Sequence, residues 1–145
     1  MTIVRYEQDF YAWALQNSQA LRAGKIAEAD LEHIAEELES MGASERRELF
    51  SRLKVLMLHL LKHQCQPERR GKSWLLTIDH QRDILEQLLG QSPSLKTVVT
   101  PETLQETYRK AVKTAVLETG LDEDIFPPSC PYTLVQLLDE TYLPE

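Results

Sequence analysis

The segment between residues 44 and 66 carries apolar side chains on nearly every face of a helix. Four leucines spaced by three or four residues form one stripe, as the 100° rotation per residue of an α-helix requires. The stripe consists of Leu49, Leu53, Leu56 and Leu60. Val55 and Leu58 point away from it, so this part of the helix has no wide polar face. Such a helix must be surrounded by other elements, which predicts a bundle with this helix at its centre.

Five other segments show one-sided helical patterns, with apolar stripes that can be buried against the central helix. They predict helices at residues 7–23, 28–41, 73–89, 101–118 and 131–141, with a short helical turn at 93–99. No segment alternates apolar and polar residues long enough to predict a strand. We therefore predict an all-α fold, a single-domain helical bundle of about five to six helices over residues 1–145.

Glycines and hydroxyl residues mark the expected ends of these helices. Four glycines stand just past a helical segment, where a left-handed residue ends a helix at low steric cost. These are Gly24, Gly42, Gly90 and Gly120. Three hydroxyl residues stand where they can cap the start of a helix. These are Ser44, Ser92 before Pro93, and Thr100 before Pro101. The pattern predicts short connections between separate helices.

The proline-rich segment at residues 121–131 cannot continue a helix and is expected to wrap around the surface. It precedes a short C-terminal helix whose apolar side chains recur at helical spacing. We expect these side chains to pack back on the bundle. They are Tyr132, Leu134, Leu137 and Leu138.

Charge and composition narrow the classes of partner. The 145 residues have a formal charge of -7, which disfavours a coat on nucleic acid or on an anionic membrane. No stretch approaches the roughly 20 apolar residues of a membrane span, and the beginning of the chain lacks the apolar run of a signal peptide. Cys65 and Cys130 form no metal-binding or disulfide pattern. We expect an acidic, soluble, cytoplasmic protein.

The charges are unevenly distributed along the chain. Residues 28–48 contain eight acidic residues and two arginines, whereas residues 51–72 contain six basic residues and one glutamate. This pattern is compatible with two solvated helix faces of opposite sign, or with a docking surface for a charged partner. A basic cluster of Arg69, Arg70 and Lys72 could contact phosphate, but no recognition motif accompanies it.

One spacing resembles that of a metal site. His59 and His63 lie four residues apart, so both imidazoles share one face of the predicted helix and could reach one ion. Glu37 repeats the same spacing with His33 on the preceding helix, and its carboxylate could complete the site if the two helices pack together. The alternative is that both histidines lie at the edge of the apolar stripe with ordinary hydrogen bonds.

Polar residues inside apolar stripes suggest a second candidate site. Gln81 interrupts the stripe of the helix at residues 73–89. Arg82 lies at the edge of this stripe, where it could pair with Glu118 or with a carboxylate of the helix at residues 28–41. Together with Trp13 and Trp74 these residues could line a small polar pocket. The alternative is a hydrogen-bonded network that fixes how the helices pack, because buried polar groups require partners.

Several segments resemble one protein family. They are DFYAWAL at residues 9–15, IAEELESMG at 34–42, SRLKVLMLHLLKH at 51–63, ETGL at 118–121 and FPPSCPY at 126–132. In this order they resemble a bacterial, largely cyanobacterial family known as domain of unknown function twenty-nine. The resemblance implies an all-helical single-domain protein. It implies no activity, cofactor or catalytic residue.

Three classes of function fit these observations. The first is a protein-interaction or adaptor module that presents a charged helical face to itself or to another protein. The second is a protein that binds a small molecule or a metal, or an enzyme that does so, through the region of His59 and His63. The third is a weak contact with nucleic acid. Whether the protein is an enzyme, and which cofactor it would use, stay open at this point.

Overall fold

The computed structural model describes residues 3–145, and within this range the chain forms helices and no strand. The α-helices are α1 (Phe10–Arg22), α2 (Leu31–Cys65), α3 (Lys72–Gln91), α4 (Pro101–Thr119) and α5 (Leu134–Leu138). Short 3-10 helices occupy Ile26–Glu28, Pro67–Arg69, Pro93–Val98 and Glu123–Ile125. The predicted all-α fold and the turn near residues 93–99 are confirmed.

The backbone packs as two compact units, one ending at Ser44 and the other beginning at Glu45. We refer to them as the N-terminal unit and the second unit. The prediction of a single domain stays a prediction, and each unit is described by itself.

Two predicted helices, at residues 28–41 and 44–66, are one helix in the structure. α2 runs without interruption through Gly42 and Ser44, so the predicted helix end and helix start at these residues are wrong. An interior glycine keeps its backbone N–H donor and costs only about 1 kcal/mol relative to alanine, which a long helix tolerates. Gly90 also lies inside a helix, α3, rather than after it.

Other predicted helix ends are confirmed. Gly24 and Gly120 have φ values of 74° and 72°, in the left-handed region that favours glycine. Thr100 caps α4 by accepting a hydrogen bond from the backbone of Thr103, which in turn bonds back to the Thr100 N–H. Ser92 does not act as the predicted cap, because its hydroxyl donates to Glu45 instead, at 2.5 Å.

The second unit contains an extensive apolar core centred on the second part of α2. The four leucines of the predicted stripe are completely buried. They pack with buried side chains of α3 and α4, among them Ile78, Leu85, Tyr108, Ala111 and Ala115. The central position predicted for this helical segment is confirmed. Phe126 of the proline-rich segment belongs to the same core.

The C-terminal segment is held on this core by a buried arginine. Arg82 donates from Nε to the carbonyl of Leu137 at 2.8 Å and from Nη2 to the carbonyl of Tyr142 at 2.9 Å. The predicted pairing of Arg82 with Glu118 is wrong, because Glu118 pairs with Lys62 at 2.7 Å. Backbone carbonyls that end or follow a short helix lack intrahelical donors, and the guanidinium supplies them. The four predicted C-terminal side chains join the core as expected.

Gly42 and Gly120 provide a matched test of these helix assignments. A Cβ added at either residue meets no atom within 4 Å, so only the backbone conformation distinguishes them. We expect Gly42→Ala to raise the free energy of unfolding by about 0.5–1 kcal/mol, since alanine favours a helix interior. Gly120→Ala should lower it by about 1 kcal/mol because of the positive φ. Urea denaturation followed by circular dichroism measures both, and a loss of stability in Gly42→Ala would contradict a continuous α2.

Candidate functional site

The N-terminal unit is organised around one carboxylate. Asp30 accepts hydrogen bonds at Oδ2 from the indole of Trp13 at 3.0 Å and from His33 Nδ1 at 2.7 Å. Its own backbone N–H donates to the side chain of Asn17 at 2.6 Å. Trp13 and Asn17 lie on the buried face of α1, and Asp30 immediately precedes α2. This carboxylate therefore connects the two helices of the unit.

Aromatic rings surround the same histidine. Tyr6 stacks on His33 with 4.3 Å between ring centroids and meets the edge of Trp13 at 4.9 Å. The Tyr6 hydroxyl donates a hydrogen bond to Glu37, one turn further along α2. On its other nitrogen, His33 lies 3.3 Å from a carboxylate oxygen of Glu7. His33 is therefore held between two carboxylates under an aromatic ring.

These contacts shift the acid–base properties of the cluster. The hydrogen bond to Asp30 raises the pKa of His33, and the nearby charges of Asp30, Glu7 and Glu36 act in the same direction against the effect of burial. The hydrogen bond from Trp13 lowers the pKa of Asp30. The bond to Glu37 raises the pKa of Tyr6 to about 12. The arrangement favours an imidazolium paired with an ionised carboxylate.

Exposed apolar side chains concentrate in this unit. Of the fifteen large apolar side chains exposed within residues 3–145, nine precede residue 45. They are Ile3, Phe10, Tyr11, Leu15, Leu21, Ile26, Leu31, Leu38 and Met41. The buried apolar side chains of the unit are Trp13 and Ala20, against eighteen in the core of the second unit. We expected the apolar stripes of the helices predicted at residues 7–23 and 28–41 to be buried. For most members of these two stripes that prediction is wrong.

Three of these exposed residues, together with Ile34, form a regular row on α2, which we call the seam: Leu31, Ile34, Leu38 and Met41. Their alternating three- and four-residue spacing is that of the a and d positions of a coiled coil over two heptads. Leu31 is 53% exposed, Leu38 63% and Met41 64%, while Ile34 is partly buried. The seam therefore presents the apolar side of a helix without a covering element in its unit.

The predicted pocket residues fall in both units. Trp13 is buried in the N-terminal unit and bonded to Asp30, as described above. In the second unit Trp74 is half-buried, and Arg82 is engaged with the C-terminal carbonyls. Gln81 is buried, and its Oε1 has no hydrogen-bond partner within residues 3–145. The common pocket stays a prediction, whereas the alternative of a structural network describes Arg82.

The predicted metal ligands also belong to different units. Glu37 belongs to the N-terminal unit and accepts the hydrogen bond of Tyr6. In the second unit, His59 donates from Nδ1 to the carbonyl of Val55 at 2.9 Å. His63 is buried, its Nδ1 has no hydrogen-bond partner among the described residues, and burial lowers its pKa. The metal site stays a prediction.

Sequence analysis missed the role of Asp30 and one acidic group. Asp30 stands directly before the apolar pattern of α2, a typical helix-capping position, and this signal could have identified it. In the described part of the chain, one group of three potential metal ligands has its donor atoms within 4.8 Å: Asp83, Glu86 and Glu140, all exposed. No sequence signal connects Glu140 with α3, because the contact depends on the fold of the C-terminal segment.

Comparisons with known proteins agree with the resemblance seen in the sequence. The model of one family, described as Domain of unknown function DUF29, matches residues 5–143. No curated protein and no solved structure gave a significant match. None of the helices within residues 3–145 is both long enough and apolar enough to cross a membrane.

The His33 cluster predicts a specific dependence of stability on pH. Because the pKa of His33 is raised above the value of about 6.5 for an unfolded chain, the protonated imidazole stabilises the fold at lower pH. This contribution is complete below about pH 6.5 and is lost as the pH rises through the pKa of the folded state. We expect the stability difference between the wild type and His33→Gln to shrink as the pH rises from 6 to 9.

Trp13 allows this effect to be measured locally. A Trp74→Phe background leaves Trp13 as the only tryptophan, so its fluorescence in urea reports the N-terminal unit. The matched control is His80→Gln, which replaces an exposed histidine of α3. A stability difference for His33→Gln that stays constant over this pH range would contradict the proposed ion pair with Asp30.

Proposed function

Because this chain belongs to the DUF29 family, whose description assigns no activity, we propose a function from its own geometry. We infer that the protein is an interaction module whose N-terminal unit binds a basic amphipathic helix of a partner protein. The observation that supports this proposal is the exposed seam on α2. Recognition of a helix by an apolar row at heptad spacing is a recurrent mode of binding between proteins.

The seam offers enough apolar surface to drive association. Complete burial of a leucine or methionine side chain is worth about 1.5–3 kcal/mol. Leu38 and Met41 are more than 60% exposed, so most of this contribution is still available to a partner. Exposed apolar rows of this kind are typical of interaction sites.

The charge around the seam favours a basic partner over a second copy of the chain. Between residues 31 and 44, α2 carries four glutamates and no lysine or arginine. An α-helix is only about 10–12 Å across, so a helix packed on the seam would have its side chains within about one screening length, 8–10 Å, of these carboxylates. Two copies joined along their seams would bring like charges together, whereas lysines and arginines on a partner helix would be attracted.

The unit also holds the seam in a fixed conformation. The contacts of Asp30 with Trp13 and His33, together with the bond from Tyr6 to Glu37, restrain the first turns of α2. A surface that is ordered before binding loses little conformational entropy when a partner arrives. This supports a binding role for the seam.

We also propose a cytoplasmic location. The support is chemical, because Cys65 and Cys130 are both free thiols, as is typical of proteins in a reducing compartment. Protein partners of such a module would share that compartment.

A designed peptide tests the seam directly. The probe is an 18-residue helical peptide with leucine at the a and d positions and lysine or arginine at most others. We expect Leu38→Ser with Met41→Ser to weaken its binding at least about tenfold, which corresponds to about 1.4 kcal/mol. Both side chains are exposed, so the stability of the module should change little. Isothermal titration calorimetry measures the affinity.

Two controls separate a specific seam from general stickiness. Leu76→Ser with Leu117→Ser removes two apolar side chains that are at least as exposed, from α3 and α4 of the second unit, and should leave binding unchanged. Glu36→Gln with Glu39→Gln should slow association and reduce its dependence on salt. Equal loss in the control variant would contradict the proposal. A stable dimer of the wild type in analytical ultracentrifugation, abolished by the seam substitutions, would replace the basic partner by a second copy.

Metal binding by His59 and His63 is the second candidate function. It is favoured by the Nδ1 of His63, which has no hydrogen-bond partner within residues 3–145, and by the bond of His59 to Val55, which uses Nδ1 and not Nε2. Protein purified without chelator from cells grown with zinc should then contain metal, and His59→Ala with His63→Ala should lose it. Equal metal content in both proteins, measured by mass spectrometry, would eliminate this function.

A further inference from the structure

A groove of about 480 Å³ lies between α2 and α4 in the second unit. Its α2 wall presents Arg46, Arg47 and Lys54 around the ring of Phe50. Its α4 wall presents Lys110. A volume of this size falls in the range of small-molecule sites, which is about 300–1,000 Å³.

The groove has an excess of positive charge. Four cationic side chains line it, and the one carboxylate among the lining residues is that of Glu106. Glu106 is already paired with Lys110 at 3.7 Å, one turn apart on α4. Arg47 and Lys54 have no carboxylate within ion-pair distance in the described residues. The groove therefore keeps about three uncompensated positive charges on a chain whose overall charge is negative.

The two helices that carry these charges are anchored by packing and by hydrogen bonds. Phe50 is partly buried and packs against the core, and the guanidinium of Arg46 lies over its ring at 5.8 Å from the centroid. On the opposite wall Thr107 is buried, and its hydroxyl donates to the carbonyl of Thr103 at 2.8 Å. Thr103 takes part in the capping box that begins α4. The cationic groups thus extend from two anchored helices.

From this arrangement we propose that the groove binds a small molecule carrying two or more phosphate-type charges. A guanidinium matches phosphate oxygens in a bidentate geometry, and lysine ammonium groups add point charges. Three uncompensated cations favour a ligand with more than one negative charge, and a diphosphate or triphosphate group supplies these charges on adjacent atoms. The site shares no residue with the seam, so this inference does not rest on the proposed function.

Larger polyanions fit the surroundings less well. A nucleic acid would extend beyond the groove over a chain that carries 23 acidic residues against 16 basic ones. A carboxylate-rich peptide carries one charge per side chain, spread over a longer distance than adjacent phosphates. The groove brings its cations together along one short stretch of two neighbouring helices, which favours a compact ligand.

The experiment uses tripolyphosphate as the probe and the full chain as the protein. Isothermal titration calorimetry at low salt should detect binding, and rising salt should weaken it because the charges are partly exposed. We expect Arg47→Gln with Lys54→Gln to weaken binding at least about tenfold, since the pair supplies half of the cations. The matched control, Arg109→Gln with Lys113→Gln, removes two exposed charges of α4 outside the groove and should bind like the wild type.

Three outcomes would overturn the inference. Absence of binding by the wild type at low salt would exclude the site. Equal loss of affinity in the control variant would indicate nonspecific attraction. A peptide of six glutamates, or a 20-nucleotide single strand, that binds through Arg47 and Lys54 more tightly than tripolyphosphate would assign the groove to a macromolecule instead. Circular dichroism confirms that both variants keep their helices.

Discussion

Burial of one side of α2 is the constraint on which the rest of the structure depends. A helix owes most of its stability in a protein to the packing of its apolar side. From Leu49 to Leu60 the stripe of α2 is fully buried, and α3, α4 and the C-terminal segment are arranged to cover it. In the seam, which ends at Met41, the apolar side chains of α2 are largely exposed among the described residues. One continuous element therefore combines a packed core and an exposed apolar surface.

The N-terminal unit compensates for its small core with polar contacts. Its buried apolar side chains are Trp13 and Ala20, whereas Asp30 connects Trp13, Asn17 and His33 through hydrogen bonds. Hydrogen bonds to charged groups are worth more than neutral ones and are directional. This way of stabilising two helices leaves the apolar side chains free. The exposed seam and the hydrogen bonds around Asp30 are thus two consequences of the same arrangement.

Sequence reasoning predicted the fold class and the core of the second unit, because helical periodicity records which side of a helix is buried. It failed at Gly42 and Ser44, since residue types that often end helices are also tolerated inside them, and tertiary context decides. The partners of Arg82 were not predictable, because they are backbone carbonyls and every residue has one. The seam was visible as a pattern, but spacing does not show whether a stripe is covered. Asp30 was recognisable only as a cap.

Net charge is a poor guide to recognition in this chain, because charges of opposite sign are separated along it. At physiological salt a charge is screened beyond about 8 Å, so a ligand responds to the few groups it touches. Around the seam these groups are glutamates, and in the groove of Arg47 and Lys54 they are cations. The total of -7 weighs against an extended polyanion that must cross both regions. It places no restriction on a compact phosphate ligand in one groove or on a basic helix along one seam.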